Sequence, residues 1–172
     1  IINHGKVGIR VQGDVIPSKS VTNNGSITIS GGEVGINQKS DNWLFTNNGT
    51  VTISNAIDIL IRGGTNFTNN GTFKGNGIVG NGTSNDFICG GAGSTIAPGT
   101  SVGKLTFEET EDFTNIFLNI EINGSTTPGI DYDQVVVEDG PETNGHVTLT
   151  GATLNLSGSY VPVGGEVFNL LV

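Results

Sequence analysis

Methionine is absent from the 172 residues, cysteine occurs once and histidine twice. A single cysteine, Cys89, excludes an intrachain disulfide, and its setting in Phe87-Ile88-Cys89 reads as a small buried hydrophobe. The two histidines, His4 and His146, lie far from it in sequence, so no Cys–His nucleophile pair is written into the chain. Basic residues are scarce as well. Seven Lys and Arg stand against sixteen Asp and Glu, for a net charge of −9 and a pI near 4.4, which argues against nucleic acid or an anionic membrane as partner. No apolar run is long enough to span a bilayer and no signal peptide is recognisable, so membrane insertion of this segment is not expected. Nor does any stretch carry a 3.6-residue apolar stripe, which leaves an all-β chain.

What the chain has in quantity is glycine, 28 residues, with much Asn and Thr, the composition of turns and exposed strand faces. They are arranged in a repeated motif, VTNNGSITI from Val21, FTNNGTVTI from Phe45 and FTNNGTFKG from Phe67. A looser copy, IINHGKVGI, starts at Ile1. Start positions 1, 21, 45 and 67 give spacings of 20, 24 and 22 residues, the period of a solenoid in which each repeat is one turn of a coil. The chain begins inside a repeat, so it is expected to be a piece of something longer, or to have its first coil completed by another molecule.

Within each repeat, Asn24-Gly25, Asn48-Gly49 and Asn70-Gly71 are expected to turn the chain through left-handed backbone conformations. Period-2 alternation follows. Val7, Ile27, Val51 and Phe73 lie two residues past the glycine, and Ile9, Ile29 and Ile53 four past it, so stacking in register would build one inward core ladder from these seven. Ser26, Thr28, Thr50, Thr52 and Thr72 would face outward, an array that Lys6 and Lys74 interrupt. An Asn-Gly between alternating runs also suits a β-hairpin. Recurrence of the whole motif at coil spacing favours a right-handed parallel β-helix (β-solenoid) with coils of about 20–24 residues.

Charge divides the chain. Residues 1–100 hold six bases and five acids, whereas 101–172 hold Lys104 against eleven acids. Two sections of one solenoid are expected, Asn-Asn-Gly coils over 1–90 and a second set over 91–172.

The second set begins with GGAGSTIAPGTSVGKLTF, in which Ser94, Ile96, Pro98, Gly99, Ser101, Gly103, Leu105 and Thr106 match a Ser-x-Ile-x-Pro-Gly-x-Ser-x-Gly-x-Leu-Thr pattern. A Leu-x-Ile-x-Ile strand, Tyr-Asp-Gln before Val-Val-Val, and a Pro-x-Gly-Gly-x-x-Phe-x-Leu-Leu ending follow. This stretch resembles bacterial autotransporter passengers and related haemagglutinin-like surface adhesins. The resemblance implies an extracellular or cell-surface β-helix acting as adhesin or structural stalk, with host or neighbouring-cell surfaces or glycans as partners. A head-to-tail self-assembling filament is the alternative, and a carbohydrate-active or glycan-binding β-helix the third reading.

No catalytic residue is expected. Asp131 and Asp133 are the one pair nominated for glycoside chemistry, which needs two carboxylates at a fixed separation, and a lyase would lack its base in a third holding one lysine. The same pair, with Glu138, Asp139, Glu108, Glu109, Glu111 and Asp112 near on stacked coils, is a candidate Ca²⁺ site, although no calcium-loop motif is present. A solvated acidic face is the simpler expectation, with no cofactor. Asn-x-Ser/Thr triplets at Asn24, Asn48, Asn66, Asn70, Asn81 and Asn123 read as turn chemistry, and Trp43 and Tyr160 are the aromatics that could stack on a sugar.

Overall fold

A computed structural model describes residues 7–11, 19–38, 43–54, 59–62, 67–80, 87–89, 92–138 and 146–172. The alternation of the repeats becomes short strands, each of which pairs in parallel with a strand of a neighbouring coil. The first coil contributes β1 (Val7–Val11). The next supplies β2 (Lys19–Asn23), β3 (Ser26–Ser30) and β4 (Val34–Gln38). Then come β5 (Trp43–Asn47), β6 (Thr50–Ser54) and β7 (Ile59–Arg62), followed by β8 (Phe67–Asn69), β9 (Thr72–Gly75) and β10 (Gly77–Val79). A further coil has β11 (Phe87–Cys89), β12 (Thr95–Pro98) and β13 (Lys104–Phe107). The last two hold β14 (Glu111–Asp112), β15 (Phe117–Glu121) and β16 (Gln134–Val137), then β17 (Val147–Thr148) and β18 (Thr153–Ser157).

Every third strand returns to the same sheet through β13, so three sheets run along the axis. Sheet 1 is β2-β5-β8-β11, sheet 2 is β3-β6-β9-β12-β15-β18 and sheet 3 is β1-β4-β7-β10-β13-β16, while β14 and β17 pair separately. This is a parallel β-solenoid, as the repeat period predicts. Sheets 2 and 3 continue across residue 90, so the two sections share one core.

The core is a set of stacked ladders, because identical positions of successive coils meet. Ile27, Val51 and Phe73 stand in register in sheet 2, continued by Ile96, Leu118 and Leu154. Ile29 pairs with Ile53, and both are fully buried. In sheet 1, Phe45 stacks on Phe67 with ring centroids 4.9 Å apart and planes 11° from parallel. Phe67 meets Phe73 edge-on at 5.7 Å, which ties sheet 1 to sheet 2. Burying each such side chain contributes roughly 1.5–3 kcal/mol.

The structure corrects three expectations. Val7 and Ile9 do not stand beneath Ile27 and Ile29, because β1 pairs with β4, setting Val7 against Val34 and Ile9 against Ile36. The reason is a second repeat, Val-Gly-Ile at 7–9 and again at 34–36. A Cβ on Gly8 would lie 2.6 Å from the Gly35 carbonyl and 2.5 Å from Ile29 Cγ2, so glycine is needed for that seat. Second, the coil length holds at 24 and 22 residues between Asn23, Asn47 and Asn69, but Asn119 and Asn155 stack across 36. The added length lies in the connections between β15, β16 and β17.

The third correction concerns the turns. Among the described residues the only non-glycine with positive φ is Asn115, at 58°, and none of Gly25, Gly49 and Gly71 is in the left-handed region. Glycine is present for a different reason. A Cβ on Gly49 would fall 2.0 Å from the Gly25 carbonyl oxygen, and one on Gly71 would fall 2.1 Å from that of Gly49. The corner is the place where successive coils touch backbone to backbone.

Candidate functional site

The Asn-Asn-Gly corner between sheets 1 and 2 carries two columns. In the outer one, Asn48 Nδ2 donates to Asn24 Oδ1 at 2.9 Å and Asn70 Nδ2 to Asn48 Oδ1 at 3.0 Å. These are the exposed residues that the motif singles out. The inner column is built from the asparagine that precedes each Asn-Gly pair. Asn23, Asn47 and Asn69 are buried and donate rung to rung, Asn23 Nδ2 to Asn47 Oδ1 and Asn47 Nδ2 to Asn69 Oδ1, each at 2.8 Å. Asn47 Nδ2 also donates to the Thr72 carbonyl at 3.0 Å, and its Oδ1 accepts from the Gly49 N–H at 3.2 Å. A buried amide is stable only if its donors and acceptors are met, and stacking identical amides meets them. Parity reveals this column: Phe45 and Asn47 are two apart on β5, so the side chain following the inward aromatic by two also points inward.

The hydroxyl array forms as a register. Ser26, Thr50, Thr72 and Thr95 align, and Thr28 aligns with Thr52, which Lys74 and then Ala97 follow. Lys6 lies outside the described residues. Lys74, Asn119, Glu121, Asp133 and Ser157 line a polar groove beside the Pro98–Ser101 turn, at the corner between sheets 2 and 3.

The acidic residues separate into two corners. Asp131 and Asp133 end the connection from β15 to β16. Asp131 Oδ2 accepts from the Thr127 N–H at 2.8 Å, and its carbonyl accepts from the Asn123 and Gly124 N–H groups, each at 2.8 Å. Asp133 is 2% exposed and uses both carboxylate oxygens, accepting from the Gly103 N–H at 2.7 Å and the Glu121 N–H at 2.8 Å. One side chain thus fastens the turn before β13, the end of β15 and the start of β16. Burial pushes its pKa up to about 6, against the two N–H groups that favour the charged form, and the Glu121 carboxylate adds to the rise. Glu108, by contrast, follows β13 as Glu138 follows β16, at the other edge of sheet 3, so Glu138 sits beside Glu108 and away from Asp133. There Glu111 is buried, while Asp112 is exposed, its carboxyl held below the usual range by Thr114. Among the described residues no three His, Cys, Asp or Glu side chains converge. Asp139 lies outside the described residues.

Tyr160 packs into the chain's last segment. Its hydroxyl donates to Glu166 Oε1 at 2.6 Å, and its ring meets Phe168 at 6.3 Å, which in turn meets Tyr132 at 5.2 Å. Asn123 bonds Glu121 and Ser159 within its own corner. The backbones of Trp43 and Cys89 pair within sheet 1. Their side chains, with His4, Asn66 and Asn81, lie outside the described residues. No protein family, curated protein or solved structure matches the chain.

Proposed function

We propose that the chain is a non-enzymatic structural segment of a bacterial cell-surface or secreted protein, a stiff β-solenoid acting as stalk or adhesin. The observation that carries this reading is the pair of asparagine columns, inner and outer, held rung to rung at 2.8–3.0 Å. Together with the aliphatic ladders they resist both sliding and bending between coils, and a coil advances the rod by only ~4.8 Å. The use of both Asp133 oxygens in backbone bonds favours a fastening role over glycoside chemistry for that residue. The adhesin part rests on the passenger-like residues from Ser94 to Thr106. Binding of the purified chain to bacterial or host cells and to a glycan array tests it. Turnover of a polysaccharide, lost in Asp131→Asn, would overturn it.

One observation favours the filament as a second reading. Leu154 and Leu156 continue the inward ladders, yet they are 49% and 59% exposed, and Leu149, Val161, Val163 and Val167 are exposed as well. A ladder rung of this kind accepts another rung of β-structure, whether from a coil of a longer chain or from a second copy. Concentration-dependent rods in negative-stain images, abolished by Leu154→Glu with Leu156→Glu, would support copies stacking. A monomer at every concentration would remove that reading.

A further inference from the structure

The three Asn-Asn-Gly turns have nearly the same sequence and unequal surroundings. Asn24, Asn48 and Asn70 are all exposed, and each precedes a glycine, the neighbour that hinders attack on a side-chain amide least. We propose that Asn24-Gly25 is a site of spontaneous deamidation in the folded protein, and that the coil stack protects the other two turns.

The chemistry needs water and nothing else. The backbone nitrogen of the glycine attacks Cγ of the asparagine, a new C–N bond closes a five-membered succinimide, and the side-chain amine leaves as ammonia with the proton the glycine gives up. Water then opens either carbonyl to give aspartate or isoaspartate. One water is consumed and one ammonia released, with no change of oxidation state. To react, the asparagine side chain must swing away from its partners, and the glycine N–H must be free to turn and lose its proton.

At Asn48 and Asn70 both movements are opposed. Asn48 is held at both ends, donating to Asn24 and accepting from Asn70. Gly49 N–H donates to the Asn23 carbonyl at 3.1 Å and to Asn47 Oδ1 at 3.2 Å. Asn70 is held at one end only, but Gly71 N–H donates to the Asn47 carbonyl at 2.9 Å, and Gly71 is pressed on the Gly49 backbone. Among the described residues Asn24 only accepts, through Oδ1, and none takes a hydrogen bond from its Nδ2. Gly25 has its carbonyl fixed by the Thr50 N–H at 2.8 Å. Among the described residues its own N–H goes only to the side chain of Asn23, at 3.1 Å, and no described atom lies within 4 Å of the position its Cβ would occupy. Among the described residues, Asn24 is therefore the outer asparagine whose amide has no acceptor, beside a glycine whose N–H is not bonded to another coil.

Tryptic cleavage at Lys19, Lys39, Arg62 and Lys74 puts the three turns on separate peptides. The folded chain is held in mildly alkaline buffer, digested at intervals, and the deamidated fraction at each asparagine is read by fragment mass spectrometry. Asn24 is expected to react about tenfold or more faster than Asn48 and Asn70, since reaction at those two waits on local opening of the stack. In urea, where the stack is gone, the three rates should converge. Equal rates in the folded chain, no reaction at Asn24, or a ranking that persists in urea would each overturn the proposal.

Discussion

Asn47 donates to Asn69 Oδ1 at 2.8 Å while accepting from Asn23 at the same distance, and Asn47 and Asn69 are fully buried. A polar residue at the middle of such a column cannot be replaced by an apolar one without stranding its neighbours. Asn47→Ala takes the column's donor from Asn69 Oδ1 and a side-chain donor from the Thr72 carbonyl, whereas Asn23 Nδ2 keeps the Gly25 and Thr50 carbonyls as acceptors. Each buried group so stranded costs about 1–3 kcal/mol, so a loss of ~2–4 kcal/mol is expected after partial relaxation. Asn24→Ala, in the exposed column, should cost less than about 0.5 kcal/mol. Urea midpoints at constant slope measure both. Equal effects would mean that the inner column is ordinary packing.

The glycines give a second contrast. Gly49→Ala and Gly71→Ala thrust a methyl group into the carbonyl of the preceding coil, and a loss of about 1–3 kcal/mol is expected from the forced separation. Gly25→Ala meets no described atom within 4 Å and is not in the left-handed region. It should be neutral, or stabilising by ~0.4–1 kcal/mol through the unfolded chain. Thermal unfolding of the three variants decides whether these glycines serve close approach or backbone conformation. If they serve conformation, the three fall together.

These two contrasts mark the limit of legibility in the sequence. Period and parity suffice to read the solenoid, the outer column, and the pairing of Ile29 with Ile53, because identical motifs at coil spacing must stack alike. They do not fix which coil β1 joins, since IINHGKVGI fits the Asn-Gly motif while its Val-Gly-Ile fits β4, and close packing at Gly8 and Gly35 decides between them. Asn-Gly is also a poor guide to φ, because closeness of backbones selects glycine as strongly as a left-handed turn does. The two corners of acidic residues were beyond reach for a similar reason. The connections from β15 to β17 follow no repeat, so nothing in the sequence says on which edge of sheet 3 an acid falls.

Asp133 supplies a prediction in pH. Its folded-state pKa, about 6, lies above the ordinary 3.8, so the folded chain holds this proton more tightly than the unfolded chain does. The resulting stabilisation is complete below pH 3.8 and is lost as the pH rises through about 6. Lowering the pH from 7 to 5 should therefore raise the unfolding midpoint through this residue. The Glu121 carboxylate, whose charge pushes the same way, and Lys74 share its groove, so the wild-type profile alone is not diagnostic. The difference between wild type and Asp133→Asn is diagnostic. A difference that stays flat from pH 4 to pH 7 would place the titration elsewhere.

Ile120 and Leu156 occupy the same position of successive coils, yet one is fully buried and the other 59% exposed. Their chemistry and register are alike, so the difference in cost between truncating them measures what the next rung adds. Ile120→Ala removes methyl groups from a closed core and should cost about 2–5 kcal/mol. Leu156→Ala empties no cavity, and in a dilute monomer it should cost less than half as much. If the chain stacks end to end, the gap narrows as concentration rises, because Leu156 becomes covered and its truncation then weakens association as well. Denaturation of the two variants at low and high protein concentration reads both effects. A Leu156→Ala cost as large as that of Ile120→Ala in the most dilute sample would mean that this rung is already covered within one chain, and the open-end basis for stacking would be lost.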